Sequence, residues 1–228
     1  MNIKDSFLKI ADMTIFECKW VGDYRLPIMG LAIISVMYCH STIWAQLDKA
    51  SVVWRLPDMF FGLIFTGTFL LLSGYGIYFS LSKGGSIASF YKRRLFRVFL
   101  PFVLLSFPFY LYYFIARDGS FSDFILNITS LYNVVKGNNG MWYITASFLM
   151  YALSPFIYRM AVKYRYTFAI LLLVTFLFVL LSVFIHFLFP VYYVQTYNLW
   201  NKLWIYTVGM ILAYVAIHRI RGGDCPKT

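Results

Sequence analysis

Acidic side chains are scarce in this chain: nine Asp and Glu stand against twenty Lys and Arg, for a formal net charge of +11. Charge of either sign is thin, at 13% of 228 residues, whereas a soluble domain usually carries about 25%. Too few charges remain to solvate a soluble surface. There are three cysteines, Cys18, Cys39 and Cys225, with no paired spacing, which argues against a disulfide framework. With three histidines and no His/Cys cluster at ligand spacing, no metal site is expected. P-loop, GxGxxG motif and internal repeat are also missing. The first twenty residues include Lys4, Asp5, Lys9, Asp12, Glu17 and Lys19, so no cleavable signal peptide is expected.

What is abundant is apolar surface. Hydrophobic residues make up 61% of the chain and aromatic residues 21%, in long blocks that suggest lipid as the solvent. Six blocks approach the roughly 20 apolar residues a bilayer requires: near 26–46, 59–81, 95–116, 141–160, 167–190 and 200–218. The expected fold is an all-α, polytopic transmembrane bundle of about six spans. It comprises a cytoplasmic or interfacial segment (1–25), a transmembrane domain (26–218) and a cytoplasmic tail (219–228). Residues 122–135 are too short and polar to span and are expected to form an interfacial or re-entrant helix.

The basic residues sit at block ends, where the positive-inside rule puts them, so nucleic acid is rejected as a partner. With the N-terminus inside, fifteen of the twenty Lys and Arg fall on inside segments. Both termini are therefore expected in the cytoplasm, with 47–58, 117–140 and 191–199 outside. No Asp or Glu falls within a span, which weighs against the paired-carboxylate relay of a pump or ion-coupled transporter.

Four segments carry candidate chemistry. His40 closes the run LPIMGLAIISVMYCHS, about 22 Å beyond Arg25 along a helix. A histidine within a span is costly without a partner or a water-filled cavity, so function is its default hypothesis. A neutral imidazole there accepts a proton from a hydroxyl; the bland alternative is an idle histidine near the interface. In FYKRRLFRVFLP, residues 90–101, Lys92, Arg93, Arg94 and Arg97 crowd one end of the third block. Spacing puts Arg94 and Arg97 on one helix face, suited to phosphate, although the positive-inside rule alone explains the charge. Ser73, Gly74 and Tyr75 interrupt the apolar run FLLLSGYGIYFSL, either as close packing or as room for a thin substrate arm. Trp142 and Tyr143 open the fourth block, as aromatic belts do, behind Asn138 and Asn139. His186, within FIHFLFP, has aromatic neighbours and no polar pattern around it; His218 beside Arg219 is expected to be an interfacial anchor.

Taken in order, these segments resemble the acyltransferase-3 family of membrane O-acyltransferases. The first block ends in histidine. LLSGYGI, FYKRRLFRVFLP, MWYITASFLMYALSPF and LWIYTVGMILAYV come after it, in register over residues 26–215. The resemblance implies transfer of an acyl group, often acetyl, from cytoplasmic acyl-coenzyme A to a carbohydrate hydroxyl at the outer side. It implies no tightly bound cofactor, with acyl-CoA serving as donor substrate. His40 would be the base. Arg93, Arg94 and Arg97 would hold the coenzyme phosphates, with the pantetheine arm near Ser73, Gly74 and Tyr75. Arg25, Trp142 and Tyr143 are assigned to the substrate. The expected location is a bacterial cytoplasmic membrane, multi-pass. Two departures stand out. Met29 occupies the position eleven residues before His40 where the family usually has Arg or Lys, and Arg25 is the nearest basic residue. The family domain also ordinarily continues into further spans, so a short or C-terminally truncated member is expected. A non-catalytic member of the fold and a small-molecule exporter are the rival readings.

Overall fold

In lipid a backbone must satisfy its own hydrogen bonds, and a helix does so within one segment. In the computed structural model every regular element among the described residues is helical. The structure describes residues 24–44, 52–117, 119–137, 141–164 and 166–222. The N-terminal segment expected before residue 24, Asn138, Asn139 and the end of the tail lie outside them.

The long helices are α1 (Arg25–Trp44), α2 (Val52–Ser82), α3 (Ile87–Arg94) continuing through a π-turn (Leu95–Phe99) into α4 (Leu100–Ala116), α6 (Trp142–Lys163), α7 (Thr167–Leu188) and α9 (Leu203–Gly222). Two shorter ones, α5 (Phe121–Ile128) and α8 (Pro190–Trp200), complete the set among the described residues, with a second π-turn at Asn133–Gly137. Among the described residues three stretches are long and apolar enough to cross a membrane: Ile87–Ala116, Thr167–Leu188 and Pro190–His218. Helix α6 has the length, but its hydroxyls and Arg159 dilute its apolar character.

Two expectations about the elements are corrected. Residues 191–199, read as a connecting segment, form α8, and the last apolar stretch starts at Pro190 instead of near 200. The tyrosines of PVYYVQTYNLW look polar in a hydropathy count, yet their rings belong in an apolar helix that offers each hydroxyl a partner. The third block also begins earlier than 95, because Ser86 caps α3 by accepting from the Ser89 N–H at 3.1 Å. The expected short helix within 122–135 is present as α5.

The chain divides into two compact units, Met1–Phe79 with Ile205–Thr228, and Ser80–Trp204. In the first, α2 and α9 meet backbone to backbone. A Cβ built on Gly74 would overlap the Tyr206 carbonyl oxygen, and one on Gly209 the Leu71 carbonyl oxygen, both far inside van der Waals contact. Leu70, Leu72, Ile77, Tyr206 and Met210 fill the core around this crossing. Two glycines thus stand where any side chain would hold the helices apart.

In the second unit, α6 turns a stripe of Ala146, Met150, Ser154, Ile157 and Ala161 inward. This is helical spacing with mostly small side chains, so neighbouring helices approach closely. A phenylalanine cluster, Phe107, Phe114, Phe121 and Phe124, joins α4 to α5. Beside it, Ser130, Asn133 and Thr145 form a buried polar knot. The Thr145 Oγ1 accepts from Asn133 Nδ2 at 2.6 Å, lies 2.9 Å from Ser130 Oγ and reaches the Ser130 carbonyl at 2.8 Å. Ser130 itself sits at φ 60°, a conformation that costs a non-glycine residue energy and is held by its surroundings.

Candidate functional site

The basic stretch after Phe90 owes its geometry to a proline. Pro101 brings no N–H to the ladder, and its ring crowds the carbonyl four residues back. The backbone widens just before it into the π-turn Leu95–Phe99, where the Leu100 N–H reaches the Leu95 carbonyl. One extra residue per turn rotates the rest of the helix about its axis. This corrects the expectation that Arg94 and Arg97 share a face: Arg94 precedes the π-turn and Arg97 lies within it, where the wider turn moves it off the three-residue register of an α-helix, and Arg97 is exposed.

Arg94 faces inward across its own unit. Its guanidinium carbon lies 5.6 Å from the centre of the Phe90 ring and 5.1 Å from that of Tyr151. Phe90 is one turn before Arg94, on the same face, and is buried. Tyr151 comes from the middle of α6. A second tie fixes the same approach: the Tyr91 hydroxyl donates to the Ala152 carbonyl at 2.8 Å. Pro155 brings no N–H to the Tyr151 carbonyl four residues back, next to the Ala152 carbonyl that Tyr91 bonds. Between α3, the π-turn and α6 lies a cleft of about 300 Å³, lined by Tyr91, Lys92, Arg94, Leu95, Phe99, Phe148, Tyr151 and Ala152. It presents two cations on otherwise largely aromatic and aliphatic walls.

Of the expected phosphate-binding residues, Arg94 therefore lines the cleft. Arg93 turns away, donating from Nη1 to Ser89 Oγ at 2.6 Å. Lys92 joins Arg94 instead. Phe90 preceding Arg94 by one turn was visible in the sequence; Tyr151 and Phe148, far along the chain, carried no local signal.

Ser73, Gly74 and Tyr75 are all buried. The space beside Gly74 is occupied by the Tyr206 and Met210 backbone, so this stretch is a helix crossing. The side chains of Arg25 and His40 lie outside the described residues, although both positions are within α1. Trp142 begins α6, with Tyr143 packed edge-on at 5.9 Å. The ammonium of the buried Lys202 lies over the Trp142 ring, 4.7 Å from its centre. Lys202 comes just after the C-terminus of α8, where unpaired carbonyls carry partial negative charge, so both neighbours suit a cation.

A family model described as an acyltransferase domain matches residues 30–222, most of the chain. The chain belongs to the acyltransferase-3 family. Comparison with curated proteins and with solved structures gives no match. Family membership and the three long apolar stretches together make it an integral membrane protein of acyltransferase type.

Proposed function

We propose that this acyltransferase-3 protein moves an acyl group, acetyl in the simplest case, from cytoplasmic acyl-CoA to a carbohydrate hydroxyl at the outer side of a bacterial cytoplasmic membrane. The observation that carries the donor half is the Arg94 cleft. A guanidinium flanked by Phe90 and Tyr151 is partly withdrawn from water, and an anion that reaches it is held more strongly than at an open surface. Lys92 adds a second positive charge on the same wall. Arg93 and Arg97, exposed nearby, serve as the electrostatic approach.

His40 supplies the base on the acceptor side. Its imidazole takes the hydroxyl proton as the oxygen attacks the thioester carbonyl. The new ester bond forms, the carbon–sulfur bond breaks and the thiol leaves with a proton. A positioned base of this kind contributes about 10²–10⁴-fold. Arg25, reaching from one turn below Met29, takes the place of the family's basic residue, and Trp142 and Tyr143 border the acceptor. The fifteen-to-five distribution of basic residues supports six spans with both termini inside. Met29 is the observation that favours a second reading, a non-catalytic member that binds donor without turning it over.

Purified chain with radiolabelled acetyl-CoA tests the proposal. Arg94→Ala should weaken donor binding by roughly ten- to a hundredfold, the worth of one charge-assisted contact. His40→Ala should abolish transfer and leave binding intact. Met29→Arg should maintain or raise transfer and should rescue Arg25→Ala. Transfer unchanged in both His40→Ala and Arg25→Ala would place the active site elsewhere. Binding without any transfer by the unmodified chain would establish the non-catalytic reading.

A further inference from the structure

Helix α7 is the most apolar of the crossing stretches, with a mean hydropathy of 3.1, yet it carries an exposed histidine. His186 lies about 28 Å along the helix from Thr167, close to the far edge of a bilayer core of about 30 Å. Its ring meets Tyr193 at 4.8 Å and Phe187 at 5.5 Å, and no described residue hydrogen-bonds its nitrogens. One turn back on the same face, the buried Ser182 hydroxyl lies 3.3 Å from the Tyr193 hydroxyl. These groups belong to a groove of about 380 Å³ between α7 and α8, within the range of small-ligand sites. Tyr197, Asn201 and Trp204 close one end; Val179, Val183 and Phe187, all exposed, form the other wall.

The lining has two characters. His186, Ser182, Tyr193 and Asn201 offer donors and acceptors without a single carboxylate, ammonium or guanidinium. Such a floor suits a neutral, hydroxyl-rich head and gives a charged one no partner. Aromatic faces at Tyr193, Tyr197 and Trp204 suit the C–H faces of a sugar ring, which are apolar. The exposed apolar wall, continuous with the outer surface of α7, suits a hydrocarbon chain. A free sugar arriving from water would leave that wall uncovered. An amphiphile arriving sideways from the membrane would cover it and satisfy the imidazole, which is costly to leave unpaired in lipid.

We propose that the groove between α7 and α8 holds a membrane-anchored carbohydrate, its neutral head on His186, Ser182, Tyr193 and Asn201 and its chain along Val179, Val183 and Phe187. On the acyl-transfer reading, on which this assignment rests, the occupant is the acceptor. The acceptor then enters from the bilayer.

The experiment uses the full chain in nanodiscs and neutral alkyl glycosides with a diazirine in the alkyl chain. Photolabel should concentrate around Val183 and Phe187. An unlabelled alkyl glycoside should displace it, and a methyl glycoside of the same sugar should not. His186→Ala and Tyr193→Phe should each reduce labelling roughly two- to tenfold, one hydrogen bond's worth, while Leu172→Ala on the same helix leaves it unchanged. His186→Gln, which keeps a donor and an acceptor, should restore part of the loss and exclude misfolding as its cause. Label spread evenly along α7, or indifferent to His186→Ala, would overturn the proposal; so would equal competition by the methyl glycoside. Coenzyme A binding, measured on the same samples, separates the two assignments. Site-specific labelling without donor binding or transfer retains the groove and removes the acyl-transfer reading. Donor binding and transfer with diffuse labelling does the reverse.

Discussion

Replacing Gly74 with alanine adds one methyl group to a place that has no room for it. The new Cβ would lie far inside van der Waals contact of the Tyr206 carbonyl oxygen, 2.9 Å from that carbonyl's carbon and 3.3 Å from the Met210 nitrogen. All three atoms belong to the α9 backbone, so no rotamer change relieves the clash. The helices must part by about 1 Å, and a gap of that size forfeits roughly a quarter to a half of each contact's dispersion energy. Leu70, Leu72, Tyr206 and Met210, all fully or nearly fully buried, share that loss. The expected cost is about 1–3 kcal/mol, as for other overpacked cores. In a chain of this size that corresponds to a fall of roughly 2–12 °C in the unfolding midpoint.

Thermal unfolding of detergent-solubilised protein, monitored by helical circular dichroism, gives the readout. Gly30→Ala is the internal control: the same substitution in a helix, with nothing within 4 Å of the new Cβ. It should be neutral or stabilising by about 0.5–1 kcal/mol, because alanine loses less backbone entropy than glycine. Gly209→Ala should match Gly74→Ala, since its Cβ would lie 2.8 Å from the Leu71 carbonyl carbon and 2.9 Å from the Tyr75 nitrogen. The double variant should cost less than the two singles combined, because one separation relieves both clashes. If Gly74→Ala unfolds at the same temperature as Gly30→Ala, the backbone contact between α2 and α9 is refuted.

Thr145→Val keeps the shape but removes the hydroxyl at the centre of the Ser130–Asn133 knot, leaving buried groups unpaired at a cost of about 1–3 kcal/mol; pairing it with Asn133→Leu should recover part of that loss in the same unfolding assay. Lys83→Cys, exposed in the turn after α2, should react with a membrane-impermeant maleimide only from the cytoplasmic side in a background lacking Cys18, Cys39 and Cys225; strong labelling from outside would reverse the proposed topology.

The membrane-helical character was legible because it rests on composition and block length, which need no partner. Boundaries were less so. α8 was hidden by Tyr192, Tyr193, Gln195 and Asn198, which score as polar although the fold gives two of them partners, Tyr193 at Ser182 on α7 and Tyr192 at the Val134 carbonyl. The π-turn had a visible cause in Pro101, but its effect on Arg94 and Arg97 depends on register, and three-residue spacing alone predicts the opposite. Gly74 was recognised as a small residue permitting approach; that Gly209 answers it from α9 is a tertiary fact. The cleft shows the same division. Phe90 stands one turn from Arg94 and is local, whereas Tyr151 reaches the guanidinium only because α3 and α6 pack together. His186 was passed over because its sequence neighbours are aromatic. The groups that make it a candidate, Tyr193 and Asn201, come from the next helix and its end.

Within the Ser80–Trp204 unit, the two proposed sites lie at different levels along a pair of helices. α6 ends at Lys163 and α7 begins at Thr167, so a common zero can be set at the turn between them. Measured at 1.5 Å per residue, Tyr151, and with it the Arg94 cleft, lies about 18 Å from that turn, and His186 about 28 Å. The difference in level is about 10 Å. A donor whose phosphates rest on Arg94 must present its thioester at the acceptor's level. The pantetheine arm between them has about the contour length of four extended residues, or roughly 13 Å. On the proposed reading, the arm alone spans the difference in level. On this reading the nucleotide enters only as far as the level of Arg94, and the sugar head stays near the far edge of the core. On the proposed six-span topology, His40, about 22 Å beyond Arg25 along α1, falls within the outer half of the core, the acceptor's half. A cytoplasmic donor and a membrane-anchored acceptor thus require only that the thioester end be carried inward, and the charged, desolvation-averse phosphates stop at the residue best built to hold them.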